Sequence, residues 1–238
     1  MDLKNFFLDL FFPKKCLGCG KSDTYLCSDC FTRLDSARQD KIEINNVSSA
    51  YLDKIIFATS YANPLVRELI KNYKYHFAQK LSEPLSQLLI RVLRQNFQFL
   101  ISNFKSNPNS KFLIIPIPLH KYRLRHRGFN QAELLAEKIA EHFNLQINTN
   151  ILKRVVYTEP QANLKDNGKK RLNNIQNAFA INLENRDSIK ELVPSVIEGK
   201  IVILVDDVIT TGGTLTEAAK VLRAYRPKEI WALTVAKG

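Results

Sequence analysis

The chain has 238 residues, of which 45% are hydrophobic and 24% charged. That is enough for one full core with a small extra module, too little for two large domains, and ordinary for a folded soluble chain. A formal charge of +12 favours anionic partners (nucleic acid, phosphorylated metabolites or an anionic membrane surface), although a Lys-rich solvated surface would also produce it.

No run approaches the roughly 18 apolar residues that a bilayer span needs, so no transmembrane segment is expected. Met1 to Phe12 is apolar but short, is interrupted by Asp2, Lys4 and Asp9, and lacks a small-residue cleavage site, which argues against a signal peptide. Leu3, Phe6, Phe7, Leu10 and Phe11 at helical spacing predict an amphipathic turn or helix packed on the cysteine-rich module after it. A cytoplasmic, reducing location fits.

All four cysteines fall in one stretch, Cys16-Leu17-Gly18-Cys19 and Cys27-Ser28-Asp29-Cys30, with seven residues between the pairs. Two residues between thiolates let both sulfurs grip one tetrahedral metal, and Gly18 and Gly20 permit the tight turn of such a knuckle. Disulfides are disfavoured in a reducing compartment, and two redox dithiols side by side would be unusual. The spacing therefore points to a structural Zn2+ held by Cys16, Cys19, Cys27 and Cys30, a closed site that performs no chemistry.

Arg33 to Asn46 is polar and aperiodic and reads as a linker, so the expected division is a zinc-binding module with linker at 1–46 and a second domain at 47–238. Ala50 to Tyr61 reads as a strand or hairpin. Asn63-Pro64 starts a helix carrying Leu65, Val66, Leu69, Ile70 and Tyr73. A second helix opens at Ser82 with Pro84 in its first turn, and Asn103 to Ser110 is a polar connection. Phe112 to Pro118 is a short buried strand whose prolines mark the end of its ladder.

Directly after it, Lys121, Arg123, Arg125 and Arg127 occupy alternate positions. An extended segment would present all four on one side, so a basic loop beyond a strand end is expected. An amphipathic helix follows Gly128-Phe129-Asn130, with Ala132, Leu135, Ala136, Ile139, Ala140 and Phe143 on its apolar face. Ile151 to Tyr157 and Phe179 to Leu183 are further strands. Between them, the polar stretch Thr158 to Asn174 reads as either a functional or a disordered loop.

The most specific element is the apolar run Val202 to Val205 that ends in Asp206-Asp207, followed by Val208-Ile209, the Thr210-Thr211-Gly212-Gly213-Thr214 loop and a helical pattern. A buried strand delivers the acids to the carboxyl edge of a sheet, where open α/β folds hold ligands. The Thr/Gly loop then stands at a helix N-terminus, whose N–H groups and dipole favour a phosphate. Two carboxylates suit paired ribose hydroxyls, so the parts describe a pocket for a sugar 5′-phosphate. Pro227 bars continuation of the helix, and Ile230 to Ala236 forms a last strand. The alternation of strands and helices predicts an α/β fold, a parallel sheet flanked by helices.

The Asp206–Thr214 element resembles the 5-phosphoribosyl-1-pyrophosphate (PRPP) signature of type I phosphoribosyltransferases. That resemblance implies that Asp206 and Asp207 take the ribose hydroxyls, directly or through Mg2+, and that Thr210, Thr211, Gly212, Gly213 and Thr214 take the 5′-phosphate. Lys121, Arg123, Arg125 and Arg127 would face pyrophosphate or DNA phosphates. Arg154, Gln161, Lys170 and Arg171 would belong to a flexible cover. Candidate catalytic residues are Asp206, Asp207 and Arg171, with no role assigned.

With Ile-Pro-Ile-Pro-Leu-His from Ile115, Arg-Gly-Phe-Asn-Gln from Arg127, Arg171-Leu-Asn-Asn and the cysteine knuckles, nearly the whole chain resembles the ComF (competence protein F, GntX-like) family. The resemblance implies a type I phosphoribosyltransferase fold with a small N-terminal zinc-binding module built on the four cysteines. It also implies a cytoplasmic role in natural transformation that handles single-stranded DNA with a competence helicase as partner.

Two functions are consistent with these residues. One is a protein that binds a PRPP-like ligand and single-stranded DNA during DNA uptake. The alternative is an active phosphoribosyltransferase that moves the phosphoribosyl group of PRPP to a nucleobase or small acceptor. In the purine salvage relatives an acid stands three positions beyond the second carboxylate. Here that position is Thr210, whose hydroxyl titrates far too high to serve as a general acid or base at neutral pH.

Overall fold

The computed structural model describes residues 14–36, 50–75, 78–101, 111–157, 177–182 and 194–238. In chain order the elements are α1 (Ser28–Ser36), β1 (Lys54–Ser60), α2 (Pro64–Tyr75), α3 (Ala78–Ile101), β2 (Phe112–Pro116), α4 (Lys121–Arg127), α5 (Gln131–Phe143), β3 (Gln146–Ile147), β4 (Leu152–Arg154), β5 (Phe179–Ile181), β6 (Ile201–Ile209), α6 (Gly213–Arg223) and β7 (Glu229–Lys237). Five strands form a parallel sheet in the order β1-β7-β6-β2-β3, and β4 pairs antiparallel with β5 in a separate ribbon.

The central strands are near-continuous apolar runs because both faces of a parallel sheet are covered. Alternation sends Phe112, Ile114, Ile201, Ile203, Val205, Trp231 and Leu233 to a core shared with α2, α3 and α5. The residues between them, Leu113, Ile115, Val202, Leu204, Ile230 and Ala232, enter a second core with α6 and the β4–β5 ribbon. The expected α/β architecture is present.

Four segments differ from the sequence reading, the simplest being the strand expected over Ile151–Tyr157, which ends at Arg154. The stretch expected to be linker from Arg33 is helical as far as Ser36, because Leu34 is buried in the first core. The helix expected at Ser82 begins at Ala78, so Pro84 lies inside it; fully buried Leu81 extends the apolar stripe of Leu85, Leu88, Leu89, Val92 and Leu93 one turn upstream. Pro84 removes only one N–H from the ladder of a 24-residue helix. The segment expected to be an extended basic loop is the helix α4. His120 caps its start, accepting at Nδ1 from the Tyr122 N–H at 3.4 Å, and Gly128 closes its end at φ 81° while donating to the Leu124 carbonyl at 2.7 Å. These two caps outweigh the alternation of charges.

The expected N-terminal amphipathic segment lies outside the described residues, as do Asn103 to Ser110 and Thr158 to Asn174.

Candidate functional site

The topology opens a crevice at one place. From β2 the chain crosses to β3 on one side, and from β6 it crosses to β7 on the other, so the loops leaving β2 and β6 diverge. Such a reversal at the carboxyl ends of parallel strands is where open α/β sheets hold ligands. The β2–β6 ladder stops at Pro116↔Val205, and the Ile117 N–H adds a bond to the Val205 carbonyl at 2.9 Å. Along β7, however, β6 stays paired through Ile209↔Lys237. Asp206 and Asp207 therefore lie inside the strand rather than at its end, as the sequence had suggested. They stand where one flank of β6 has lost its neighbour and the other still holds it rigid.

The two carboxylates have different surroundings. Asp207 is buried, and its Oδ2 lies 2.6 Å from Lys74 Nζ, at the end of α2. Burial works against the Lys74 ammonium, but Asp207 beside it more than offsets this and holds Lys74 above its ordinary value. Asp206 Oδ1 accepts the Asp207 N–H at 2.8 Å, and Asp207 Oδ1 accepts the Val208 N–H at 2.9 Å. Burial, then the charge of Asp207, push the Asp206 carboxyl up to about 7, against the pull of the Asp207 N–H and Lys74.

Two carboxylates thus stand side by side in a poorly solvated place, with one lysine in contact with Asp207, and their oxygens can accept from hydroxyl donors or ligate a divalent cation. Lys74 is the residue the sequence reading missed. On α2 it looks like any surface lysine. Buried Tyr73 holds that turn in place by donating its hydroxyl to the Gln131 carbonyl at the start of α5, at 2.6 Å.

Beyond Ile209, residues 210–212 turn into α6. Gly212 is its N-cap at φ 80°, in the left-handed region that favours glycine, and no side chain caps that helix. The backbone N–H groups of the first turn therefore remain available for an anion beside the acid pair.

The third wall comes from α4. Asn130 donates from Nδ2 to the Ile117 carbonyl at 3.1 Å, which closes the excursion and holds α4 over the sheet edge. Because α4 is helical, the four cations do not line one side: Arg123 and Arg127 form a half-buried i, i+4 pair, while Lys121 and Arg125 are exposed. Arg127 acts electrostatically on Lys74 and Tyr73, so it belongs with the acid pair. Arg154, expected in the flexible cover, is instead held in β4 opposite Phe179, and it is drawn below its usual range by burial and by Arg123, while Asp206 pulls the other way. Its guanidinium carbon lies 5.3 Å from the Phe179 ring. Gln161, Lys170 and Arg171, expected in a cover, lie outside the described residues.

At the N-terminal end, the Sγ atoms of Cys16, Cys19, Cys27 and Cys30 all lie within 4.8 Å of one another, and those of Cys19 and Cys27 are 3.6 Å apart. Zn–S bonds of about 2.3 Å would place tetrahedral sulfurs roughly 3.8 Å apart, so the set could hold a metal ion and is compatible with structural zinc. Burial alone would raise the Cys16 thiol, but backbone N–H groups of Cys27, Gly18 and Cys19 outweigh it and bring the thiol down to about 6. The Cys27 N–H donates to Cys16 Sγ at 3.4 Å, and Arg33 donates to Cys30 Sγ at 3.3 Å. The module packs on α2: a Cβ on Gly18 would stand 2.7 Å from Cys30 Sγ and 3.0 Å from Leu65 Cδ2.

Comparison with known proteins agrees with this fold. Residues 130–238 match the family model of the phosphoribosyl transferase domain. Competence protein F of Haemophilus influenzae is 32% identical over 186 residues, covering 76% of this chain and 72% of that protein. The chain belongs to the competence protein F family. This ComF chain is also similar to DNA utilization protein YhgH of Escherichia coli K12, 27% identical over 182 residues and covering 76% and 71% of the two chains. Competence protein ComFC of Bacillus subtilis is 28% identical over 163 residues, 67% of this chain and 54% of that protein. The phosphoribosyl transferase match takes in α5, the acid pair and the loop to α6. Lys74, α4 and the four cysteines lie ahead of it. Among the described residues no helix is long and apolar enough to cross a membrane.

Proposed function

We propose that this ComF-family chain binds a phosphoribosyl ligand such as PRPP in the crevice between β2 and β6 and handles single-stranded DNA during DNA uptake. The observation that carries the first half is the Asp206–Asp207 pair, held where β6 is open on one flank and followed directly by the uncapped start of α6. In this reading Asp206 and Asp207 hold the ribose hydroxyls and Mg2+, which neutralises ligand phosphate charge. Lys74 balances Asp207, residues Thr210 to Thr214 take the 5′-phosphate, and Arg123 and Arg127 face the pyrophosphate. The division of the chain is into a 1–46 module stapled by zinc and a 47–238 ligand-binding domain. Arg171, Lys170 and Gln161 serve as cover, and the setting is cytoplasmic, with a competence helicase as partner.

The nucleic-acid half is supported by the charge of +12, by the cations of α4, and by relatives named for competence and DNA utilization.

Calorimetric titration of PRPP with Mg2+ tests the pocket. The wild type should release or absorb binding heat that Asp206→Ala and Asp207→Ala abolish. Titration without heat in any protein, or with equal heat in all three, overturns it.

The enzymatic alternative requires turnover of PRPP as well as binding. Release of pyrophosphate from PRPP in a screen of nucleobases would establish turnover.

A further inference from the structure

Among the described residues, the large apolar side chains that stand out in solvent are Tyr122, Leu124, Val155, Val156 and Tyr157, with Tyr122 59% and Tyr157 48% exposed. They fall in two short segments, one on α4 and one just past β4, and the two segments meet. The ring centroids of Tyr122 and Tyr157 are 5.9 Å apart at 88°, and buried His120 lies behind both, 5.2 Å from Tyr122 and 5.4 Å from Tyr157. The edge-to-face Tyr122–Tyr157 pair packs on a buried ring and still leaves aromatic surface turned to solvent.

The rim is basic. Lys121 Nζ lies 5.8 Å from the Tyr122 centroid, and the Arg123 guanidinium lies 5.9 Å from that of Tyr157. Neither 111–132 nor 144–157 contains an aspartate or glutamate. The two segments that carry the patch thus bring cations and no carboxylates to it, which suits an anionic occupant. Aromatic faces interleaved with cations match a strand of bases and phosphates.

We infer that Tyr122 and Tyr157 form a stacking platform for the bases of single-stranded nucleic acid, with the exposed Lys121 and Arg125 on the phosphates. This rests on the nucleic-acid half of the proposed function and places it on named residues. The platform adjoins the crevice because Tyr122 lies on α4, which the Asn130–Ile117 hydrogen bond holds over the sheet edge.

The test is fluorescence anisotropy of the full chain with a labelled short oligodeoxythymidylate and with an abasic strand of the same length. Wild type should prefer the strand with bases. Tyr122→Ala and Tyr157→Ala should each weaken that strand by about 5- to 150-fold, leave the abasic strand and the salt slope unchanged, and keep the wild-type melting midpoint by circular dichroism. The Tyr→Phe variants should bind as wild type, since the face and not the hydroxyl is used.

If wild type binds no strand at low salt, the nucleic-acid reading itself fails and the platform falls with it. If wild type binds but both alanine variants bind equally well, the strand lies elsewhere and only the platform is overturned. The platform is likewise overturned if the variants leave DNA binding intact but dissociate a dimer by light scattering, which would make the patch a contact between copies of the chain. Quenching of tyrosine fluorescence by free thymidine with no preference for the strand would make it a free-base pocket and also overturn it.

Discussion

Asp206→Asn isolates the electrostatics of the acid pair without changing its shape, because the amide oxygen can still accept the Asp207 N–H. Burial and Asp207 lift the Asp206 carboxyl from 3.8 to about 7. Between those limits the folded state keeps a proton that the unfolded chain has released. Stability therefore falls as pH rises through that window, and the whole cost is present above about 7. Each unit is worth about 1.4 kcal/mol, giving about 4 kcal/mol for full ionisation; partial exposure of the side chain reduces this to about 2–4 kcal/mol.

In a chain of this size that corresponds to about 5–12 °C in melting temperature. Thermal melts followed by circular dichroism from about pH 3 to about pH 8 should show wild type losing this amount. Asp206→Asn should match wild type at the acid end, where both groups are neutral, and exceed it at the alkaline end. Parallel pH profiles for the two proteins would mean that Asp206 ionises like an exposed carboxylate, and the argument from burial and Asp207 would be wrong.

Two further predictions concern the Lys74–Asp207 pair and the cysteine module. Lys74→Met strands the buried Asp207 charge and should cost about 3–5 kcal/mol in chemical denaturation. Adding Asp207→Asn should recover most of it, and a single-variant loss below about 1 kcal/mol would class the pair with exposed ion pairs. For the cysteine module, the purified chain should carry zinc in equimolar amount by emission spectroscopy, and chelation should lower its melting temperature. Gly18→Ala, which forces a carbon to 2.7 Å from Cys30 Sγ, should reduce zinc content and stability together, whereas full zinc and an unchanged melt would refute the packing described for Gly18.

Much of the site was legible because it is local. The strand, acid pair, Thr/Gly turn and α6 are consecutive, and each follows from a short-range rule: an apolar run, a glycine that accepts positive φ, and an apolar face at helical spacing. The cysteine pairs are equally local, and the structure brings their sulfurs together as their spacing implied. The α4 segment shows where local reading fails. Its alternating cations suggested an extended strip, yet His120 and Gly128 cap a helix that divides Arg123 and Arg127 from Lys121 and Arg125. A charge pattern on the surface constrains the backbone weakly, because solvated side chains contribute little whichever conformation holds them. Caps decide such segments, and histidine is an uncommon cap.

By itself the sequence determined the α/β class, the acid pair with its Thr/Gly turn into α6, and a four-sulfur cluster, since each is a pattern of neighbours in the chain. Tertiary structure alone decided that Lys74 serves Asp207 across more than a hundred residues, that β2 ends where the acids begin, and that Tyr122 and Tyr157 meet over His120. These contacts depend on strand order. The order β1-β7-β6-β2-β3 is set by how the helices cover both faces of the sheet, a balance of burial over the whole chain that no single stretch records.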